Sequence, residues 1–245
     1  MIALVAGRSL SQYLPLLLGG IPVTLEVTGM AIVLVVIFGF LFGLGRSSRS
    51  ILLRLPSGLL VEVLRGSSAI VQLFWAFYVL PFLGVDLSPL TAGVLVLGLN
   101  GGAYFSEVVR AGLASVPHGQ IEASVTLHLS PWYRFRRVIL PQSLPVMVPP
   151  FGNALIDMLK FSALLSLVTI HDLAYRADAI GSVIPTPGPV YGITLALYFA
   201  MALGLSAIVS VIESQVNRWA GRAVRARRPF ARTAGPVPRW AFPGR

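Results

Sequence analysis

Three acid–base pairs stand three residues apart in this sequence: Glu62 with Arg65, Glu107 with Arg110, and Asp157 with Lys160. On a helix, partners at that spacing are neighbours, so each pair can neutralise itself. The first two pairs lie near the ends of apolar runs, where snorkelling or bracing of a loop accounts for them. Asp157 and Lys160 sit deeper, between "PPFGNALI" and "FSALLSLVTI". Ions at such depth usually face a cavity or a partner and mark a pathway. A zwitterionic solute needs one group for each end, which makes Asp157 and Lys160, with Asn153, candidates for lining a solute path. A self-neutralised structural pair is the competing account. Asn100 and Glu26 are further, weaker candidates of the same kind.

Other chemistries find little to work with. The chain has no cysteine, which excludes disulfides and thiolate metal sites, and His118, His128 and His171 lack metal-ligand spacing. No Ser/His/Asp constellation, Gly-x-Ser-x-Gly elbow or His-Glu-x-x-His pair is visible. A nucleotide-binding phosphate loop needs Gly-Lys-Ser/Thr, whereas Lys160 is the only lysine and follows a leucine. The chain therefore cannot use ATP by that route.

The elements that must position these residues are membrane-spanning helices. Of 245 residues, 56% are hydrophobic and 11% charged, against about 25% charged in a soluble domain. A helical crossing takes about 20 apolar residues. Val23 to Gly45, Val63 to Val85, Leu90 to Val109, Ser143 to Ile170 and Val190 to Ile212 meet that need. The expected fold is all-α and polytopic, with about five transmembrane helices. Ile51 to Arg65 reads as an amphipathic approach to the second span. Prolines 141, 145, 149 and 150 predict a broken start to the fourth, and Asp172 to Pro189 reads as an external connection. Gly39/Gly43 and Gly98/Gly102, each four apart, allow helices to approach closely.

The net charge of +10 is unevenly placed. Sixteen of the nineteen basic residues fall in one set of loops and the C-terminal tail, leaving Arg8 and Arg176 on the other side and Lys160 within a span. Basic residues stay with the cytoplasmic loops. The pattern predicts the N-terminus outside and the C-terminus inside, as an odd number of crossings requires. It also argues against nucleic acid as the partner. No cleaved signal peptide is expected; the first span would serve as its own insertion signal. Residues 1–215 form one transmembrane domain on this reading, and 216–245 a basic, partly disordered cytoplasmic tail near anionic lipid.

One polar passage interrupts the apolar sequence, "SVPHGQIEASVTLHLSPWYRFRRVILPQ", about 115–142. Pro117 can open a helix, on which Ile121, Val125 and Leu129 recur on one face. Glu122 falls early, where the helix dipole favours an anion, and the small Ala123 and Ser124 admit another surface. Ser130 is a plausible cap for a second short helix, with Trp132, Phe135 and Ile139 on its apolar face. Such helices are too short to cross a bilayer and suit its cytoplasmic face. An interfacial loop that only snorkels its arginines is the plainer alternative.

The passage resembles the "EAA" loop of bacterial ABC importer permeases of the polar amino-acid uptake family, in which Glu-Ala-Ala is followed by a glycine and a Leu-Pro. Glu122, Ala123, Leu140 and Pro141 match; Ser124 replaces the second alanine and His128 the glycine. The resemblance continues through "GGIPVTLEVTG" (19–29), "VEVLRGSSAIVQLFWAFYVLP" (61–81), "NGGAYFSEVVRAGLASVPHGQIEAS" (100–124) and "VILPQSLPVMVPPFGNALIDMLKFSALLSLV" (138–168). Several blocks in order are more specific than one motif.

The resemblance implies a multi-pass permease of the bacterial cytoplasmic membrane, without catalysis or cofactor of its own, ATP and Mg residing on a partner ATPase dimer. A second permease copy or paralogue and an extracytoplasmic solute-binding protein complete the implied assembly. The coupling helix would seat in the ATPase through Gly119, Gln120, Glu122, Ala123, Ser124, Leu127, His128 and Leu129. Histidine adopts a left-handed turn less readily than glycine, so the helix is expected to run a turn longer or dock differently. "KFSALL" in place of Lys-Asp-Thr-Ser-Leu resembles permeases for ectoine-type solutes. An ion-coupled secondary transporter is the competing class, with Asp157, Glu107 or Glu26 as ion sites; the lack of a visible internal repeat counts against it.

Overall fold

The computed structural model describes residues 12–220; Arg8 and the tail beyond 220 lie outside the described residues. Every regular element among the described residues is helical. The first span, α1 (Gln12–Ser47), turns at Ser48 to Ser50 into α2 (Ile51–Gly66), which returns along it. α3 (Ala69–Leu83) follows, then α4 (Pro89–Ala114) and the short α5 (His118–Thr126) and α6 (Pro131–Arg134). A widened turn at Phe135–Ile139 leads into α7 (Leu140–Phe161) and a tightened coil, Ser162–Val168. α8 (Leu173–Gly181) and the long α9 (Gly188–Trp219) complete the fold.

α1 and α4 run parallel and pack most closely. Leu34 and Phe38 of α1 lie over Gly98 and Gly102, while Phe105 and Val109 of α4 lie over Gly39 and Gly43. A methyl group on Gly102 would stand 2.6 Å from the Phe38 Cβ. Small residues thus bring two backbones together in a medium where apolar packing gains nothing from leaving water. α7 runs antiparallel to both, with Met147 against Gly112 and Met158 against Gly101. The core between them holds Val27, Ala31, Val35, Phe105, Val109, Met147, Met158 and Leu165. α9 lies outermost, meeting α7 where Val209 covers Gly152.

Two sequence expectations are corrected here. The second crossing is two helices, α2 and α3, bent by 104° at Ser67 and Ser68, so Val63 to Val85 is not one run. α7 passes unbroken through Pro145, Pro149 and Pro150. Each proline removes one donor, and with no water to claim the freed carbonyls, keeping the remaining ladder costs less than opening it. The segment after Asp172 also contains a packed helix that the sequence reading did not identify.

That helix, α8, closes one end of the bundle. Asp172 caps it, accepting a hydrogen bond from the Tyr175 N–H at 2.8 Å and one from the Tyr198 hydroxyl at 3.3 Å. The carboxyl is almost fully buried, and burial pushes its pKa above the ordinary aspartate range, against the pull of the Tyr175 N–H. Leu173, Ala177 and Ile180 pack on Leu17 and Val190. The Thr24 hydroxyl donates to Gly20 O and accepts from the Leu173 N–H at 3.0 Å, joining α1 to α8. A Cβ on Gly20 would stand 2.6 Å from the Leu173 Cα, and backbone cannot swing aside. Gly20→Ala is expected to destabilise the chain by about 1–3 kcal/mol, read as a lowered midpoint of thermal unfolding in detergent.

Candidate functional site

The bend between α2 and α3 leaves the last carbonyls of α2 without helical donors, a costly omission in hydrocarbon. Side chains supply them. The Ser67 hydroxyl donates to Val63 O at 2.7 Å. Gln72 Nε2 donates to Leu64 O at 2.7 Å, and Asn100 Nδ2 donates to the same oxygen at 3.1 Å and to Gln72 Oε1 at 3.3 Å. The Tyr104 hydroxyl donates to Arg65 O at 3.4 Å. Asn100 is thus buried and spends its amide holding α4 to the bend.

Beside this bend lies an open cleft of about 530 Å³. Ser67, Ser68, Ala69 and Ile70 form one wall; Asn100, Gly101 and Tyr104 of α4 form the second. Ala154, Asp157, Met158 and Phe161 of α7, with Leu164, form the third. Asp157 Oδ1 receives a hydrogen bond from Lys160 Nζ at 3.2 Å, and both side chains are more than half exposed. Asn153 is also exposed, one turn before Asp157 on the same stripe of α7. Of the four expected path residues, Asn100 and Asp157 line the cleft; Asn153 and Lys160 stand beside it. Sequence reasoning missed Gln72 and Tyr104, whose signal was a polar or hydroxyl group opposite the Gly66-Ser67-Ser68 interruption.

The charged pairs are only partly as expected. Glu107 pairs with Arg110, at 2.9 Å, but also with Arg46 at 2.6 Å and Arg65 at 3.0 Å. Glu62 pairs with Arg46 at 3.3 Å instead of Arg65. Arg65 turns to Glu107 because that carboxylate is the more enclosed, 25% exposed against 63% for Glu62. One carboxylate therefore ties the end of α1, the end of α2 and α4.

Beyond α4 the polar passage folds as two short helices. α5 buries only Ser124, whose hydroxyl donates to Ile121 O; Ile121 and Leu129 are half-buried. Val125, one turn after Ile121, is not buried with them: it is exposed with Leu127, and Trp132 and Tyr133 add to this projecting surface. Gly119, Gln120, Glu122, Ala123 and His128 are exposed as well. Glu122 lies in the second turn, beyond the reach of the dipole at the helix start, so the electrostatic reason given for it above fails. Its carboxylate forms no ion pair among the described residues. Ser130 caps α6 through the Tyr133 N–H, as its position predicts, and Trp132 stacks on Phe135.

α5 ends where the related glycine would end it, not a turn later. The His128 N–H donates to Val125 O at 2.8 Å and the Leu129 N–H to Ser124 O at 3.1 Å, the paired bonds of a Schellman stop. That stop demands a left-handed residue, and His128 supplies it at φ 52°. The geometry survives the substitution, with strain on one residue. His128→Gly is expected to stabilise the loop by up to about 1 kcal/mol, seen as slower amide exchange over residues 124–129.

Comparison with known proteins agrees with this architecture. Residues 9–225 match the family described as binding-protein-dependent transport system inner membrane component. The chain is 40% identical over 216 residues to the probable amino-acid ABC transporter permease protein y4tF of Sinorhizobium fredii, covering 86% of this chain and 91% of that protein. It is 34% identical over 212 residues to the L-cystine transport system permease protein TcyB of Bacillus subtilis, covering 86% and 91%. Among solved structures, an amino acid ABC transporter crystallised with histidines superposes with a TM-score of 0.77 at 35% identity, over 85% of this chain and 97% of that one. The inward-facing MetNI methionine ABC transporter shares the fold, with a TM-score of 0.70 at 23% identity, over 82% and 95%. With its spans, broken helix and projecting loop in that order, the chain belongs to the family of multi-pass inner membrane permeases of binding-protein-dependent transport systems.

Proposed function

We propose that this chain is the permease subunit of an ATP-driven importer for a polar amino acid or related zwitterion, coupled through α5 to a separate ATPase dimer. The observation that carries this reading is the projecting α5, which buries one residue in its own chain and presents Glu122, Val125, Leu127 and His128 outward. A nine-residue helix so little packed is not held for the sake of this subunit's core. The proposed orientation places α5 in the cytoplasm and the N-terminus outside, following the distribution of arginine. A second permease chain and an extracytoplasmic binding protein complete the assembly.

Cargo would pass the cleft beside the α2–α3 bend. Irregular backbone at membrane depth belongs along a cavity, and Asp157 offers a carboxylate to a cargo ammonium while Lys160 offers the opposite charge. Amino-acid cargo is favoured by what the related permeases are named for. Ectoine-type solutes fall within the same zwitterionic class and are the finer proposal that "KFSALL" supports. The two groups already pair with each other, so cargo would exchange one ion pair for two.

Purification of the chain with its neighbours is the direct test: an ABC ATPase is expected to co-purify, and its absence would overturn the reading. Glu122→Lys is expected to abolish uptake while membrane insertion stays normal; unchanged uptake would remove α5 from the coupling role. Replacing Asp157 and Lys160 together by leucine is expected to lower uptake about tenfold or more without loss of the ATPase. Loss of the ATPase instead would reassign the pair to assembly.

A further inference from the structure

The carboxylate of Glu107 is placed to do more than neutralise a neighbour. It receives Arg46 Nη1 from the end of α1 at 2.6 Å, Arg65 Nη1 from the end of α2 at 3.0 Å, and Arg110 Nε from its own helix at 2.9 Å. Through Arg65 it reaches the cleft. That guanidinium lies 5.3 Å from the ring centre of Tyr104, a lining residue, and the Tyr104 hydroxyl donates to Arg65 O. Arg65 stands two residues before the bend at Ser67. Through Arg110 it reaches the other way, since four residues later α4 ends at Ala114, and the buried Val116 anchors the start of the polar passage.

We propose that Glu107 is a positioning residue that makes the α2–α3 bend move as one body with the loop carrying α5. This rests on the coupling function proposed above and names the residue through which that coupling reaches the cleft. Three guanidinium groups from three helix segments converge on one carboxylate, so displacing the cytoplasmic end of α4 must carry α2 along or leave charges uncompensated at a part-buried site. Packing and hydrogen bonds also hold α2 to the middle of α4, where Val61 and Leu64 meet Ala103 and Leu99 and where Asn100 and Tyr104 bond the bend; Glu107 adds the charged tie that lies nearer the loop. Arg65 Nε is buried and has no acceptor among the described residues, which leaves one donor to take a partner when the ends of α2 and α4 shift. Transmission between sites requires an element with two arrangements, and a second arrangement of this hub is what nucleotide trapping would reveal.

The absence of cysteine makes the test direct. The complete complex with its ATPase is reconstituted in lipid nanodiscs, with Ser68→Cys reporting on the bend and, separately, Val125→Cys reporting on α5. Fluorescent maleimide labelling of the permease is compared without nucleotide and after trapping with ATP and vanadate. With Glu107 intact, trapping is expected to change the Ser68→Cys rate by about fivefold or more. Glu107→Gln is expected to reduce that response to below about twofold, while the Val125→Cys response and basal ATP hydrolysis persist and Glu107→Asp restores part of the loss.

A full Ser68→Cys response in Glu107→Gln overturns the proposal, as does a native complex in which Val125→Cys responds and Ser68→Cys does not. If Glu107→Gln loses ATP hydrolysis and the Val125→Cys response as well, Glu107 is structural and the positioning role is wrong. No response at either site in the native complex would overturn the coupling function itself, and this inference with it.

Discussion

The constraint on which the rest depends is that no carbonyl can be left without a donor inside a membrane. The second crossing breaks at Ser67 and Ser68, and three freed oxygens, of Val63, Leu64 and Arg65, take hydrogen bonds from Ser67, Gln72, Asn100 and Tyr104. Two of those donors belong to α4, so the repair also fixes how α4 sits against the break. The cleft follows from this: a helix that turns by 104° cannot fill the space a straight one would, and α7 borders what is left. Removing the break would close the cleft, and removing its donors would leave the break intolerable.

Close packing supplies the frame. α1 and α4 approach through glycines on both partners, and α7 crosses against them through flexible methionines, Met147 and Met158, lying over Gly112 and Gly101. Methionine adapts to irregular gaps, which suits the space left over a glycine. At the far end, the contacts are of the opposite kind: Gly20 against the Leu173 backbone, Thr24 bonded to the Leu173 N–H, and Asp172 capping a buried helix turn. That end is pinned by directional bonds, while the end near α5 is held by long arginine side chains around Glu107. The two ends of the fold are thus held by different means, short directional bonds at one and ion pairs at the other.

The sequence was most legible where periodicity is long. Four of the five apolar stretches and the two glycine pairs mapped onto real helices and real contacts, because hydrophobic length and small-residue spacing are set by the bilayer and by backbone approach. Local signals were read less well. Four prolines pointed to a break in α7 that lipid suppresses, while Gly66-Ser67-Ser68 concealed the true one, since serine and glycine within an apolar run do not interrupt hydropathy. α8 was passed over as a connection, although Asp172 with Leu173, Ala177 and Ile180 carried a cap and a helical stripe. Partner choice among charges was beyond reach: spacing proposes Glu62 with Arg65, and only the three-dimensional placement of Arg46 and Glu107 decides otherwise.

His128 shows how a motif departure should be weighed. The residue type argued for a changed helix end, yet the stop forms, with both of its hydrogen bonds, at φ 52°. The reason lies in the flanks. Leu129 is half-buried, so a helix running on past Thr126 would turn it out of its contacts, whereas a left-handed histidine costs about 1–2 kcal/mol on one residue. Tertiary packing sets the place where the helix must end, and the residue there conforms. A glycine at such a position lowers the strain of a turn that its neighbours have already determined, so its replacement alters stability before it alters shape.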